Sequence, residues 1–150
     1  METNFLAKLL NVLVTIFLVL VVITFFTLPL VVDKYIEIAG VQGSNTFSLK
    51  IFLYLTAIPF FILLVMVKKL CKNVLQNEVF SVSSAKLLNV ISICAFFDFL
   101  LYTIGTFILL RNLFSLTLMV AAFMIGLVSL ILSQLIKLAI AIKEENDLTI

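Results

Sequence analysis

An all-α, polytopic membrane protein, with four transmembrane helices in an antiparallel bundle and both termini cytoplasmic, is the fold class this sequence predicts. Three observations predict it. Of 150 residues, 64% are hydrophobic and only 12% are charged, where a soluble domain carries roughly 25% charged residues to cover itself; mean hydropathy is +1.33. Four almost uncharged runs approach or exceed the roughly 20 residues needed to cross a hydrocarbon core about 30 Å thick. The Lys and Arg residues are distributed unequally among the connections between those runs.

The first run, 9–32, is free of charge. It is longer than the roughly 7 to 15 residues of a signal-peptide core and no A-x-A-like site follows it, so an uncleaved first helix is expected. An outer loop over 33–50 comes next, with the turn formers Gly40, Gly43, Ser44 and Asn45. The second run, 51–67, is the shortest, but Leu70, Cys71, Val74 and Leu75 continue its apolar pattern. Its helix is therefore expected to project into the cytoplasmic loop 68–86, with Lys68, Lys69 and Lys72 at the lipid headgroups and Lys86 at the far end of that loop. A Ser at 81, 83 or 84 can cap the third helix.

The third run, 87–110, holds a single charge, Asp98. The outer loop 111–115 is short enough to force an antiparallel hairpin with the fourth run, 116–142, in which Lys137 is the one charge; a tail, 143–150, closes the chain. Orientation follows from the basic residues. Lys8, the four lysines of the 68–86 loop, Lys137 and Lys143 lie on one side, against Lys34, Lys50 and Arg111 on the other, and the richer side is cytoplasmic. One transmembrane domain fills the chain.

Composition also excludes chemistry. With no His and two Cys, Cys71 and Cys94, neither the usual zinc and haem ligand sets nor a Ser-His or Cys-His nucleophile can be assembled. No cofactor, metal or catalytic residue is predicted, and no cluster of acid, base and nucleophile converges. A net charge of +2 is too small and scattered for direct nucleic-acid binding. The lipid bilayer is the partner that the composition itself implies.

At 100° per residue the third helix shows two faces. Val90, Ile93, Phe96, Phe97, Leu100, Leu101, Ile104, Phe107 and Ile108 make a lipid face, while Cys94, Ala95, Asp98, Tyr102, Gly105 and Thr106 face protein. On the fourth helix Ser115, Met119, Ala122, Gly126, Ser129, Ser133 and Lys137 recur every three or four residues. Small residues let helix backbones approach closely, which matters where lipid supplies no hydrophobic push between helices. Ala122, Gly126, Ser129 and Ser133 are thus a predicted helix-packing stripe, with a polar conduit as the sharper reading.

Asp98 lies near the middle of its run, and Ser129 and Pro59 are placed at a similar depth. A carboxylate there costs about 2.5 to 3.5 kcal/mol on insertion scales, so a protonated acid inside the bundle is expected. Tyr102, four residues on, and Ser129 are its predicted partners in a buried polar cluster, with the Leu55 carbonyl freed by Pro59 as a third. Two readings of Asp98 stand side by side: a functional protonatable group, or a structural one that fixes helix register through hydrogen bonds.

Three stretches together carry a family resemblance. They are Ala57-Ile58-Pro59-Phe60-Phe61; Asn77-Glu78-Val79-Phe80-Ser81 followed by Ala85-Lys86-Leu87-Leu88; and the terminal Glu144-Glu145-Asn146-Asp147-Leu148-Thr149-Ile150. The sequence resembles the small bacterial four-helix membrane proteins of the domain of unknown function 2975 family, from the second helix onward, with no family signature in the first helix or outer loop. The resemblance implies a location in the bacterial cytoplasmic membrane and, because genes of the family often lie beside a Cro/CI-type helix-turn-helix regulator, a cytoplasmic transcription factor as partner. It implies no catalytic residues. The expected function is accordingly a non-enzymatic regulatory or interaction protein, with Glu144, Glu145 and Asp147 as the partner-docking candidates. The alternative is a small transporter or channel subunit, or an immunity-type membrane protein, that uses Asp98; it calls for a homo-oligomer.

Overall fold

The computed structural model describes residues 2–39, 46–110 and 113–148. Helix α1 is Glu2–Ala39, α2 is Thr46–Leu75, α3 is Val82–Gly105 continued by a π-helical segment Thr106–Leu110, and α4 is Leu113–Leu148. No strand occurs among the described residues, and all four helices are long and apolar enough to cross a membrane. The protein is an integral membrane protein. The helices outrun their apolar runs: α1 begins at Glu2, α2 continues to Leu75, and α4 carries on through most of the expected tail.

Each helix packs chiefly on its neighbours in sequence, so the order in space is α1, α2, α3, α4. The α3–α4 contact is the most extensive, and the α1–α2 and α2–α3 contacts are smaller. The core lies between α2 and α3, where Leu63, Leu88, Ile91 and Ala95 are buried, with Ile136 of α4 packed against them. In contrast, among its described side chains α1 fully buries only Ala7, Val14, Leu28 and Val32, along one seam, and most of its other large apolar side chains point outward.

Threonine hydroxyls within the helices bond back to carbonyls of their own chain, as Thr15 does to Asn11 at 2.7 Å and Thr103 to Phe99 at 2.7 Å. This satisfies each hydroxyl where no water is at hand. Prolines create the converse, a carbonyl without its helical donor. Pro29 removes the N–H that would bond Phe25, and the Tyr54 hydroxyl of α2 donates to that carbonyl at 3.2 Å. Beyond it, Lys50 and Asp33 pair at 2.7 Å across the same two helices.

The turn from α2 to α3 is closely specified. The N–H of Glu78 bonds the Asn73 carbonyl at 2.9 Å and that of Asn77 bonds Val74 at 3.1 Å, while Asn77 sits at φ 59°. That is a Schellman helix end with Asn at the left-handed position, the commonest substitute there for Gly. Ser81 is the residue that caps α3, accepting from the Ser84 N–H at 3.1 Å. The Ser84 hydroxyl, wholly buried, donates to the Glu78 carbonyl at 3.0 Å and accepts from Asn73 at 3.1 Å. The two helix ends are thereby joined by side chains as well as by the chain.

Candidate functional site

The α3–α4 register is set by two hydroxyls. Ser92 of α3 donates to the Gly126 carbonyl at 2.9 Å, and Ser133 of α4 donates to the Ala85 carbonyl at 2.8 Å. Each uses the second lone pair of a carbonyl already bonded in its helix. Between them Gly126 meets Phe96, whose ring carbons would lie 3.1 Å from a Cβ built there. The stripe Ala122, Gly126, Ser129 and Ser133 is buried and faces α3.

Phe96 therefore does not belong to the lipid face on which its helical angle places it. It fills the notch at Gly126 and stacks edge-on against Phe123 at 6.0 Å. Ile93, Phe97, Leu100, Ile104, Phe107 and Ile108 do point outward, and Ala95, Asp98 and Gly105 point inward.

Asp98 is 4% exposed and its Oδ1 has no hydrogen-bond partner. It lines a cavity of about 110 Å³ where α2, α3 and α4 meet, with Phe60, Leu63, Ala95, Tyr102 and Ala122 among its neighbours. The polar cluster expected around it forms only in part. Tyr102 shares the cavity, but its hydroxyl interacts with Thr56 of α2 and its ring packs on Phe52 at 6.1 Å.

Ser129 is not beside Asp98. The two serine bonds put it level with the start of α3, roughly nine residues or about 13 Å along the axis from Asp98. Equal depth followed from centring both apolar runs on the membrane. The bonds instead centre the hairpin in the π segment Thr106–Leu110, ahead of the 111–115 loop, so α4 is displaced along α3. Nor does Asp98 Oδ1 bond the Leu55 carbonyl, since that oxygen has no partner.

A second candidate lies at the end of the molecule where α2 finishes and α3 begins. Lys69, Lys72 and Lys86 are exposed there and Lys68 is half-buried. With Ala85 level with Ser133, α4 runs on for roughly a dozen residues, about 18 Å, past the first turn of α3. Glu144, Glu145 and Asp147 are exposed on this extension, and its last turn holds no basic residue. Lys68, Lys69 and Lys72 belong to α2 and Lys86 to α3, and the acids ride on α4, which packs against α3. Among the described residues, no three His, Cys, Asp or Glu side chains gather as metal ligands.

The sequence model of a family described as "Protein of unknown function (DUF2975)" matches residues 7–150. The chain belongs to this family. The match takes in α1 as well as α2 to α4, so the DUF2975 family extends over the first helix, where no signature had been recognisable. Over 135 residues the chain is 31% identical to the uncharacterized membrane protein YoaS of Bacillus subtilis (strain 168), covering 83% of this chain and 84% of that protein. No solved structure matches. For this DUF2975 protein, then, function has to be argued from the cavity at Asp98, the α4 extension and the lysines of α2.

Proposed function

We propose that the protein is a non-enzymatic regulatory anchor of the bacterial cytoplasmic membrane, which holds a cytoplasmic helix-turn-helix transcription factor of the Cro/CI type on the projecting end of α4. The observation that carries this reading is the acidic helical extension. A helix C-terminus bears partial negative charge, so Glu144 and Asp147 in the closing turns work against α4 rather than for it, each by about 0.3 to 1 kcal/mol. A cationic partner removes that repulsion. DNA-binding proteins carry such a surface, because they neutralise phosphates with Lys and Arg. An acidic helix seated on it competes with DNA, which converts membrane attachment into repression or release of the regulator. The gene pairing implied by the family resemblance supports the same partner, and the Lys and Arg distribution supports a cytoplasmic position for both termini.

The test is affinity capture from native membranes of the intact chain, of a chain truncated after Ile142, and of the Glu144→Gln/Glu145→Gln/Asp147→Asn variant. A helix-turn-helix protein recovered with the intact chain alone supports the docking role. Equal recovery from all three, or from none, sinks it. One observation favours a second reading, a proton- or solute-handling subunit: the unpartnered Asp98 Oδ1 faces a cavity. Proton flux in liposomes that disappears in Asp98→Asn is its signature.

A further inference from the structure

A furrow runs along one side of the α1–α2 pair and ends at the lysines of α2. Near mid-membrane it is wholly apolar, about 260 Å³, and Val22, Phe25, Ala57 and Phe61 are among its walls. It continues as a space of about 450 Å³ that shares Val22 and Phe61 and adds Thr15, Val65 and Lys68. A third space of about 330 Å³ shares Val65 and Lys68 and is closed by Asn11, Lys69, Lys72 and Leu75. On α1 the lining positions Asn11, Thr15, Leu18, Val22 and Phe25 recur every three or four residues, as do Ala57, Phe61, Val65, Lys68 and Lys72 on α2. The three spaces are therefore one continuous furrow between two helix faces.

Its dimensions and chemistry define the occupant. From Ala57 to Lys72 the furrow spans about 22 Å at 1.5 Å per residue, close to the depth of one leaflet with its headgroup layer in a bilayer about 40 to 45 Å thick overall. Its deep part presents no polar lining residue, its outer end gathers three ammonium groups and one amide, and no Asp or Glu lines it anywhere. A molecule with a long apolar chain and one anionic head matches both ends at once. We propose that the α1–α2 furrow is a specific site for an anionic phospholipid, one acyl chain lying against Val22, Phe25 and Phe61 and the phosphate held by Lys68, Lys69, Lys72 and Asn11. The lipid fills the space left between α1 and α2 along these two faces. This site is independent of partner docking on α4, and the two fail separately.

The experiment titrates the full-length protein in mild detergent with phosphatidylglycerol or phosphatidylcholine and counts bound lipid by native mass spectrometry. Phosphatidylglycerol is expected to bind at least tenfold more tightly. With about 1 kcal/mol per basic residue near an anionic surface, Lys68→Gln/Lys69→Gln/Lys72→Gln lowers that affinity on the order of a hundredfold. The matched control Lys86→Gln/Lys137→Gln/Lys143→Gln removes as much charge from the same end of the molecule but outside the furrow, and leaves affinity within threefold. Equal losses in the two triple variants, or equal binding of the two lipids, would show diffuse headgroup attraction and overturn the site. Narrowing the apolar part by Ala57→Phe lowers phosphatidylglycerol binding with the lysines intact; unchanged binding also overturns it.

Discussion

The α3–α4 and α1–α2 pairs are both antiparallel contacts between long apolar helices, yet they are held in different ways. Between α3 and α4 there are two buried hydroxyl–carbonyl bonds, a glycine notch filled by an aromatic ring, and a row of small residues. Between α1 and α2 one tyrosine bonds a proline-freed carbonyl, one ion pair sits near the end where α1 finishes and α2 begins, and a furrow runs along the pair. In a bilayer apolar side chains gain nothing by leaving lipid, so close approach and polar bonds decide which helices associate. The first pair is accordingly a fixed hairpin. The second is a loose contact that lipid can enter.

The largest test of this contrast is Gly126→Leu, which drives a branched side chain into Phe96. A loss of about 3 kcal/mol is expected from overpacking, read as a lowered Tm in detergent. Leu substituted at Val12 or Ile16 of α1, which are exposed and outside the furrow, leaves Tm unchanged. Next is Asp98→Leu. Because Asp98 has an unpartnered buried oxygen beside a cavity, its replacement by an apolar residue is expected to raise stability by about 2 kcal/mol. A fall instead would restore the register-fixing role. Asp98→Asn, which keeps a polar group in place, then separates function from folding: a lost phenotype in a protein of unchanged Tm marks Asp98 as functional. Smaller still is Ser133→Ala, for which transmembrane hydrogen bonds average about 0.6 kcal/mol, measured by unfolding in mixed micelles. Tyr54→Phe is of the same order, about 0.5 to 1 kcal/mol, because it leaves the proline-freed Phe25 carbonyl without a donor, and faster proteolysis of α1 checks it beside Tm. If Tyr54→Phe lowers Tm as far as Gly126→Leu does, the contrast between the pairs is wrong.

What the sequence disclosed follows from how local each signal is. The four helices are legible because absence of charge over about 20 residues has few other meanings. The α4 stripe is legible because small residues spaced three and four apart share a face whatever their depth. Ser81 was among three possible caps, and only the turn geometry at Asn77 decides between it and Ser83 or Ser84. Depth between helices is another matter. Ser129 was set beside Asp98 by centring two apolar runs, and a hairpin pivoting in the π segment shifts one run against the other without changing either composition. Phe96 was misassigned because it lies at the edge between faces, where the deciding factor is a glycine on the opposing helix. The Tyr54 bond had a readable signal: Pro29 announces an unsatisfied carbonyl at Phe25, although nothing in the chain names the donor.

Contacts chiefly between successive helices also prescribe an order of manufacture. A ribosome delivers α1 first, and a helix that needs so little from its neighbours can wait in lipid alone. Asp98 has no such independence: it arrives on α3 before α4 exists, and an acid at mid-membrane carries about 2.5 to 3.5 kcal/mol against insertion. Two walls of its cavity come from α2 and α3, already synthesised, and the third comes from α4. Closure of the α3–α4 hairpin is therefore the step at which a half-built chain hides its acid.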